Sequence, residues 1–218
     1  MNAEEFITFV EDRITPLDEA QKERFRAMGP LYEDWNSKIN VISRKDIGNL
    51  YQHHILHSLA IAAYLVSAPQ LQERFASSSI LDLGTGGGFP GIPLAIVYPG
   101  ASFTLCDSVG KKTKVASEVV SALGLTNVQV INARAESLKD KFNFVVSRAV
   151  ATLTDFYPWV RGKFTDGILY LRGGDVAEET AMLQGRFSLR KGSVRVFPVN
   201  RVLTDEYFDG KYVIHIEK

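Results

Sequence analysis

An α/β fold, a mostly parallel doubly wound sheet carrying an amino-terminal helical appendage, is what this sequence predicts. Three observations carry it. From residue 79 onward, apolar runs of strand length alternate with segments of helical spacing; the run ILDL passes straight into the glycine cluster GTGGGFPG; and the end of the chain breaks the alternation with two neighbouring strand-like runs.

The elements follow in order. Helical spacing predicts helices over 4–13, 18–38 and 49–67, with Phe6, Phe9 and Val10, then Leu56, Leu59, Ile61, Ala63 and Leu65, on their apolar faces. These form the appendage, residues 1–67, and residues 68–218 form the main domain. APQLQERFASSS, with its proline and serine run, reads as the connection into the first strand. Strands are then expected at 79–83, 102–106, 127–131, 143–147 and 166–172, with helices at 90–98, 110–123, 152–161 and 175–184. GSVRVFPV and GKYVIHIE, adjacent in sequence, predict an antiparallel edge. The chain shows no internal repeat and no low-complexity segment.

Length and composition suit this reading. The 218 residues are 45% apolar and 23% charged, and no uncharged apolar run reaches the length of a membrane span. The acidic start MNAEEFITFVEDR lacks the basic residues and apolar stretch of a secretion signal, and the single cysteine has no partner within the chain, so a cytoplasmic location is expected. Net charge is zero but uneven. Residues 1–35 carry nine acidic and four basic side chains, leaving the remainder basic by about five charges, which is compatible with ordinary surface variation or with a basic face around a cleft.

The glycine loop is the most informative segment. Ile80, Leu81 and Leu83 are apolar as a buried parallel strand requires, and Gly84, Gly86, Gly87 and Gly88 let the backbone turn and approach a ligand without a Cβ in the way. The order Asp82-x-Gly84-x-Gly86-x-Gly88 is the one Rossmann-like S-adenosylmethionine enzymes place under the methionine part of the cofactor. Gly86-x-Gly88-x-x-Gly91 also satisfies the dinucleotide pattern. In that fold, however, the first glycine follows the strand at once and the pyrophosphate sits on the helix amino terminus, whereas Gly84 already closes the strand here and Pro90 removes a donor.

Asp107 closes the second strand, FTLCD, and a carboxylate there can accept both ribose hydroxyls of an adenosine. Capping the following helix is the competing, compatible role. ARAE, residues 133–136, follows the third strand where the loop of such folds lies along an adenine. At the end of the fourth strand there is neither an Asn/Asp/Ser-Pro-Pro-aromatic turn for amine methylation nor a cysteine beside a proline for ring-carbon methylation. Cys106 lies inside a strand and suits burial. Ser147, Arg148 and Ala149 occupy that turn instead, and a fixed cation suits an acceptor that loses no proton, such as an aromatic ring nitrogen. His53 and His57 stand four apart, but His54 fills the position where a zincin has glutamate, and no third ligand is apparent, so no metal is expected. Trp35, Phe156, Tyr157 and Trp159 could stack a base, although their helical spacing fits a core.

YEDWNSKINVISRKD, HHILHSL, ILDLGTGGGFPGIPLAIVYPGASFTLCDSVGKK, ARAES, VVSRAVATL and LRGGDVAEE stand in this order. Over about residues 30–218 the chain resembles the bacterial small-subunit ribosomal RNA guanine N-7 methyltransferases, the glucose-inhibited division protein B family. The resemblance implies methyl transfer from S-adenosyl-L-methionine to N-7 of one guanine in 16S ribosomal RNA, by a monomer acting on RNA or its particle with no membrane. It places cofactor contacts on Gly84, Gly86, Phe89, Asp107, Ala135, Glu136 and Arg148, and RNA contacts on Arg134, Arg148, Arg172 and Lys211. Arg148 is thereby expected to position the reactants, with no general base. The chain departs from the family at three places: His57 stands for the usual Asp, Arg172 for Lys, and Lys211 for Arg. A small-molecule methyltransferase and a non-catalytic RNA-binding assembly factor are the other classes compatible with these residues.

Overall fold

A computed structural model describes all 218 residues. Seven strands, β1 (Ser79–Leu83), β2 (Ser102–Asp107), β3 (Val128–Asn132), β4 (Phe142–Arg148), β5 (Phe164–Gly173), β6 (Val194–Pro198) and β7 (Lys211–Glu217), form one sheet in the order β3-β2-β1-β4-β5-β7-β6. The first five strands pair in parallel, while β7 runs antiparallel to both β5 and β6. The antiparallel edge expected from the terminal runs is present, with β7 inserted between β5 and β6. Strand β1 pairs with β2 on one side and β4 on the other, so the topological switch falls beside β1. Open α/β sheets bind their ligands at the carboxyl ends of strands at such a point.

Eight helices cover the sheet: α1 (Ala3–Arg13), α2 (Glu19–Lys38), α3 (Ala60–Val66), α4 (Pro69–Phe75), α5 (Gly91–Val97), α6 (Gly110–Ala122), α7 (Leu153–Val160) and α8 (Val176–Phe187). Alternation along the strands divides the core. Ile80, Phe103, Leu105, Phe144 and Val146 face the layer built by α1 to α6, whereas Leu81, Leu83, Cys106 and Val145 face α7 and α8. The amino-terminal helices therefore share one continuous core with the sheet: Phe6, Phe25 and Met28 are fully buried in the same cluster as Phe103 and Phe144.

Two local features differ from the sequence expectation. The stretch 68–79, read as a connection, contains α4. Pro69 occupies its first turn, where a missing N–H costs nothing, and Leu71 and Phe75, four residues apart, bury one face. The single helix expected over 49–67 is instead a 3₁₀ turn (Ile47–Asn49), a π-helical turn (Leu50–Leu56) and α3. The wider π turn brings consecutive histidines, His53 and His54, onto one carboxylate of Asp46.

Helix α2 does run through Pro30, and the reason is local. A proline leaves the carbonyl four residues back without its donor, here that of Arg26. The Tyr51 hydroxyl enters the gap, accepting from Gly29 N (3.2 Å), donating to the Phe25 carbonyl (2.9 Å) and lying 3.3 Å from the Arg26 carbonyl. A side chain inserted into the helical ladder is a recognised way to accommodate such a break.

Gly91, the first residue of α5, packs directly on β1 and β2. A Cβ there would stand 2.7 Å from Asp82 Oδ2 and 2.8 Å from Leu105 Cδ1. Both neighbours are fully buried, so Gly91→Ala is expected to lower unfolding free energy by about 1–3 kcal/mol, the usual cost of overpacking. Urea denaturation checks this, and a variant as stable as the parent would contradict the packing described.

Candidate active site

The loop after β1 is held by two carboxylates. Asp82, wholly buried, accepts from Thr85 Oγ1 (2.6 Å) and Gly91 N (2.8 Å) through Oδ2, while its Oδ1 is buried without a partner. Burial pushes this carboxyl up to about 7, with the Thr85 and Gly91 donors opposing the rise. Asp107 accepts from Gly86 N through Oδ2 (2.9 Å) and from Val109 N through Oδ1 (2.8 Å). Gly84 and Gly86 take φ of +72° and +58°, values that glycine adopts without strain. From the other side Tyr32 of α2 donates its hydroxyl to the Gly87 carbonyl (2.7 Å), and Val41 packs so closely that a Cβ on Gly87 would meet its Cγ2 at 2.9 Å.

At the carboxyl ends of the central strands lies a cleft of about 260 Å³. Leu83 and Gly84 enter it from β1, Asp107 and Ser108 from β2, Ala133 to Glu136 from β3, Val150 from the loop after β4, and Trp159 from α7. Four of the expected cofactor residues, Gly84, Asp107, Ala135 and Glu136, thus line one space, and Arg134, expected on RNA, joins them as an exposed side chain. Gly86 reaches it through Asp107. Phe89 and Arg148 do not line it. Phe89 is buried, 4.8 Å from the Tyr32 ring between centroids, and the Arg148 guanidinium lies over its face at 5.2 Å.

The RNA candidates on the far side are engaged within the protein. Arg172 Nε pairs with Glu179 Oε2 at 2.9 Å, and that carboxylate also accepts from Leu153 N through its other oxygen. Lys211 hydrogen-bonds the Tyr207 carbonyl and sits 3.6 Å over the Tyr207 ring. In the β5–β7 pairing Arg172 stands opposite Tyr212 and Gly173 opposite Lys211, so strand alternation places the two cations on opposite faces of the sheet.

The histidines are buried or half-buried and lie outside the cleft lining. His57 is only 8% exposed, with Nε2 unpaired. His53 Nδ1 and His54 Nε2 contact the two oxygens of Asp46 at 2.6 and 2.7 Å. No group of three or more His, Cys, Asp or Glu side chains is arranged to hold a metal. Cys106 is buried against the Ala133 carbonyl, and burial pushes its thiol up to about 11, which keeps it from acting as a nucleophile near neutrality. Val150 and Ser108 are site residues that sequence reasoning missed, and Trp159, named there for base stacking but read as core, lines the cleft. Trp159 carried a signal, its aromatic character, but its spacing matched the core positions Phe156 and Val160.

The cleft suits an adenosine-bearing cofactor. Each Asp107 oxygen accepts a single backbone N–H, which fixes the carboxylate and leaves acceptor capacity on both oxygens for a pair of vicinal hydroxyls, and the Trp159 ring and Val150 give apolar walls. A Rossmann-like sheet with this loop and this carboxylate defines a nucleoside-cofactor enzyme of the methyltransferase class. Known proteins agree. The family model described as "rRNA small subunit methyltransferase G" (GidB) matches residues 21–203. The ribosomal RNA small subunit methyltransferase G of Phocaeicola vulgatus is 46% identical over 92% of this chain and 93% of its own, and that of Cytophaga hutchinsonii 43% over 95% and 97%. Among solved structures, the magnesium protoporphyrin IX methyltransferase of Synechocystis, crystallised with bound S-adenosylmethionine, superposes with a TM-score of 0.62 at 14% identity, covering 93% of this chain and 98% of that one. At such identity the likeness is one of fold. The chain belongs to the GidB family of small-subunit ribosomal RNA methyltransferases, and it is an S-adenosylmethionine-dependent enzyme.

Two expectations follow from the geometry. Asp107→Ala removes a charged acceptor worth about 1.5–3 kcal/mol per hydrogen bond and should weaken S-adenosylmethionine roughly ten- to a hundredfold by calorimetry; a drop in melting temperature with affinity intact would instead assign Asp107 to loop support alone.

The second concerns acid stability. Burial lowers His54 and His215 to about 4 and His57 well below its usual value. An unfolded histidine takes a proton near 6.5, so between about 6.5 and 4 the unfolded chain binds protons the native state refuses, and stability is lost as pH falls. Asp82, raised to about 7, works in the opposite direction across the same range. With three histidines against one aspartate, the melting temperature should decline from pH 6.5 towards 4, and a flat profile there would contradict neutral burial of the imidazoles.

Proposed function

We propose that this enzyme methylates N-7 of a guanine in 16S ribosomal RNA, that it works as a monomer in the cytoplasm, and that its residues act by positioning rather than by acid/base exchange. The observation that best supports this is how the acidic and imidazole groups around the cleft are engaged, with Glu136, the exposed carboxylate of the lining, standing in the loop that would lie along the adenine. Asp82 is sealed behind the loop with Oδ2 doubly engaged, Asp107 is held by two backbone donors, and the histidines lie outside the cleft lining. An aromatic ring nitrogen needs no base, since its lone pair is already free. S-adenosylmethionine, when bound, supplies an electrophilic methyl group. Asp107 would hold its ribose, Ala135 and Glu136 with Trp159 its adenine, and Gly84 and Gly86 would allow close backbone approach. Arg148, at the end of β4 beside the cleft, would orient the reacting groups, and catalysis by proximity suits such a displacement.

RNA contact is expected first from Arg134, exposed on the cleft wall. Arg172 and Lys211 would have to exchange internal partners for phosphate. Arg134→Ala should therefore reduce methyl transfer to small-subunit particles and flatten the salt dependence of RNA binding by about one unit of slope, with smaller changes in slope for Arg172→Ala and Lys211→Ala. The assay offers labelled cofactor with small-subunit particles, naked ribosomal RNA and a metabolite extract, followed by mapping of 7-methylguanosine. Label confined to the extract would defeat the RNA reading.

A further inference from the structure

We propose that Asp46 and His54, neither of which lines the cofactor cleft, form a relay that fixes the orientation of the Arg148 guanidinium; the inference rests on the reading above that Arg148 serves the reaction. Arg148 makes no direct ion pair. Its polar contacts are both with one residue: Nη2 stands 3.3 Å from His54 Nδ1, and Nη1 stands 3.5 Å from the His54 carbonyl. The opposite ring nitrogen of His54, Nε2, meets Asp46 Oδ2 at 2.7 Å.

The chemistry of the two ends dictates the state of the ring. A carboxylate only accepts, and a guanidinium only donates. A neutral imidazole has one N–H and one lone pair, so Nε2 carries the proton towards Asp46 and Nδ1 presents its lone pair to Arg148. The other tautomer would set lone pair against carboxylate and N–H against N–H. Burial and the Arg148 charge keep His54 neutral, down to about 4, against the pull of Asp46. The aspartate thus acts on the arginine through the ring, in the way a second group commonly sets the tautomer of a working histidine.

Asp46 is itself held firmly. His53 Nδ1 meets its Oδ1 at 2.6 Å and Asn49 Nδ2 donates to the same oxygen at 3.2 Å. His53 stacks on Tyr207 at 3.6 Å between centroids with planes 8° apart, and the Tyr207 hydroxyl donates to the His53 carbonyl at 3.3 Å. The segment between β6 and β7 therefore braces the π turn. On the other side of Arg148, the Phe89 ring limits the guanidinium to one plane. The arrangement uses only two of the five guanidinium N–H groups and leaves the rest for a ligand.

Two substitutions divide the relay. The amide of asparagine places an acceptor near the position of Nδ1, within reach of Arg148, whereas that of glutamine extends to the position of Nε2 and serves Asp46. By calorimetry with S-adenosylmethionine, His54→Gln should weaken binding about tenfold, and His54→Asn should recover most of that loss. In an Arg148→Ala background His54→Gln should add nothing. Asp46→Asn, measured in the same cycle, provides a second route if His54→Gln melts below the assay temperature, and it too should lose its effect without Arg148. Wild-type affinity in His54→Gln together with impaired Arg148→Ala, or fully additive losses in the double variant, overturns the relay. An Arg148→Ala protein that binds and transfers normally overturns the reading of Arg148 and the relay with it. Failure of RNA methylation with this coupling in cofactor binding intact would touch only the proposed substrate.

Discussion

The site depends on one constraint: a glycine-rich backbone must be held open in a single conformation while offering no side chains of its own. Two carboxylates at the ends of adjacent strands meet it. Because β1 and β2 pair in parallel with Leu83 opposite Cys106, the chain leaves β1 at Gly84 directly beside Asp107. The Cys106 carbonyl takes the next two N–H groups, from Gly84 at 2.8 Å and Thr85 at 3.1 Å, and Asp107 takes that of Gly86. Asp82 then reaches past the loop to the first N–H of α5. A buried carboxylate is expensive unless hydrogen-bonded, and the rise of Asp82 to about 7 shows that two donors on one oxygen offset only part of the cost. Its Oδ1 is buried without a partner.

The amino-terminal helices are part of the same constraint. Tyr32 and Val41 close on the back of the loop at Gly87, and a Cβ on Gly88 would meet Ile92 at 2.3 Å and the Tyr32 hydroxyl at 3.1 Å. The glycines thus serve two purposes. Gly86 answers to backbone conformation and Gly87 to close packing, while Gly84 and Gly88 answer to both, with φ of +72° and +109° and a Cβ that would meet Val150 at 2.2 Å and Ile92 at 2.3 Å. Segment 1–67 supports the loop physically, and its packing with the sheet into one core explains how a short, glycine-rich turn can stay ordered.

Much of this was legible in the sequence, and the reasons for what was not are specific. Parallel strands buried on both faces must be continuous apolar runs, which is why ILDL and FTLC announced themselves, and a carboxylate closing FTLCD could be read as a ligand for ribose before any coordinates. Helix α4 was hidden because Pro69 reads as a breaker unless it falls in the first turn. The π turn was hidden because period alone does not reveal an added residue. Trp159 shares its helical spacing with core neighbours, and only the placement of α7 over the cleft separates them. The partner of Arg172, Glu179, lies across a strand end and a helix start, a relation no local pattern encodes.

Charge ties the site together. In the proposed reaction positive charge passes from a sulfonium to a guanine base, so total charge does not change and the protein need not stabilise a new ion. What it must avoid is crowding further cations around that path. The three imidazoles nearest Arg148 illustrate how: His53 is tied to the Asp46 carboxylate, and burial with the arginine's own field keeps His54 and His57 neutral. Arg148 itself is lowered by burial yet remains protonated, as an arginine does in a protein. A single fixed cation, oriented through a neutral ring and not cancelled by a direct carboxylate contact, keeps donors free for an anionic or carbonyl group of a ligand. A direct Arg148–Asp46 ion pair would hold the side chain as well, but it would consume the donors that make the residue useful.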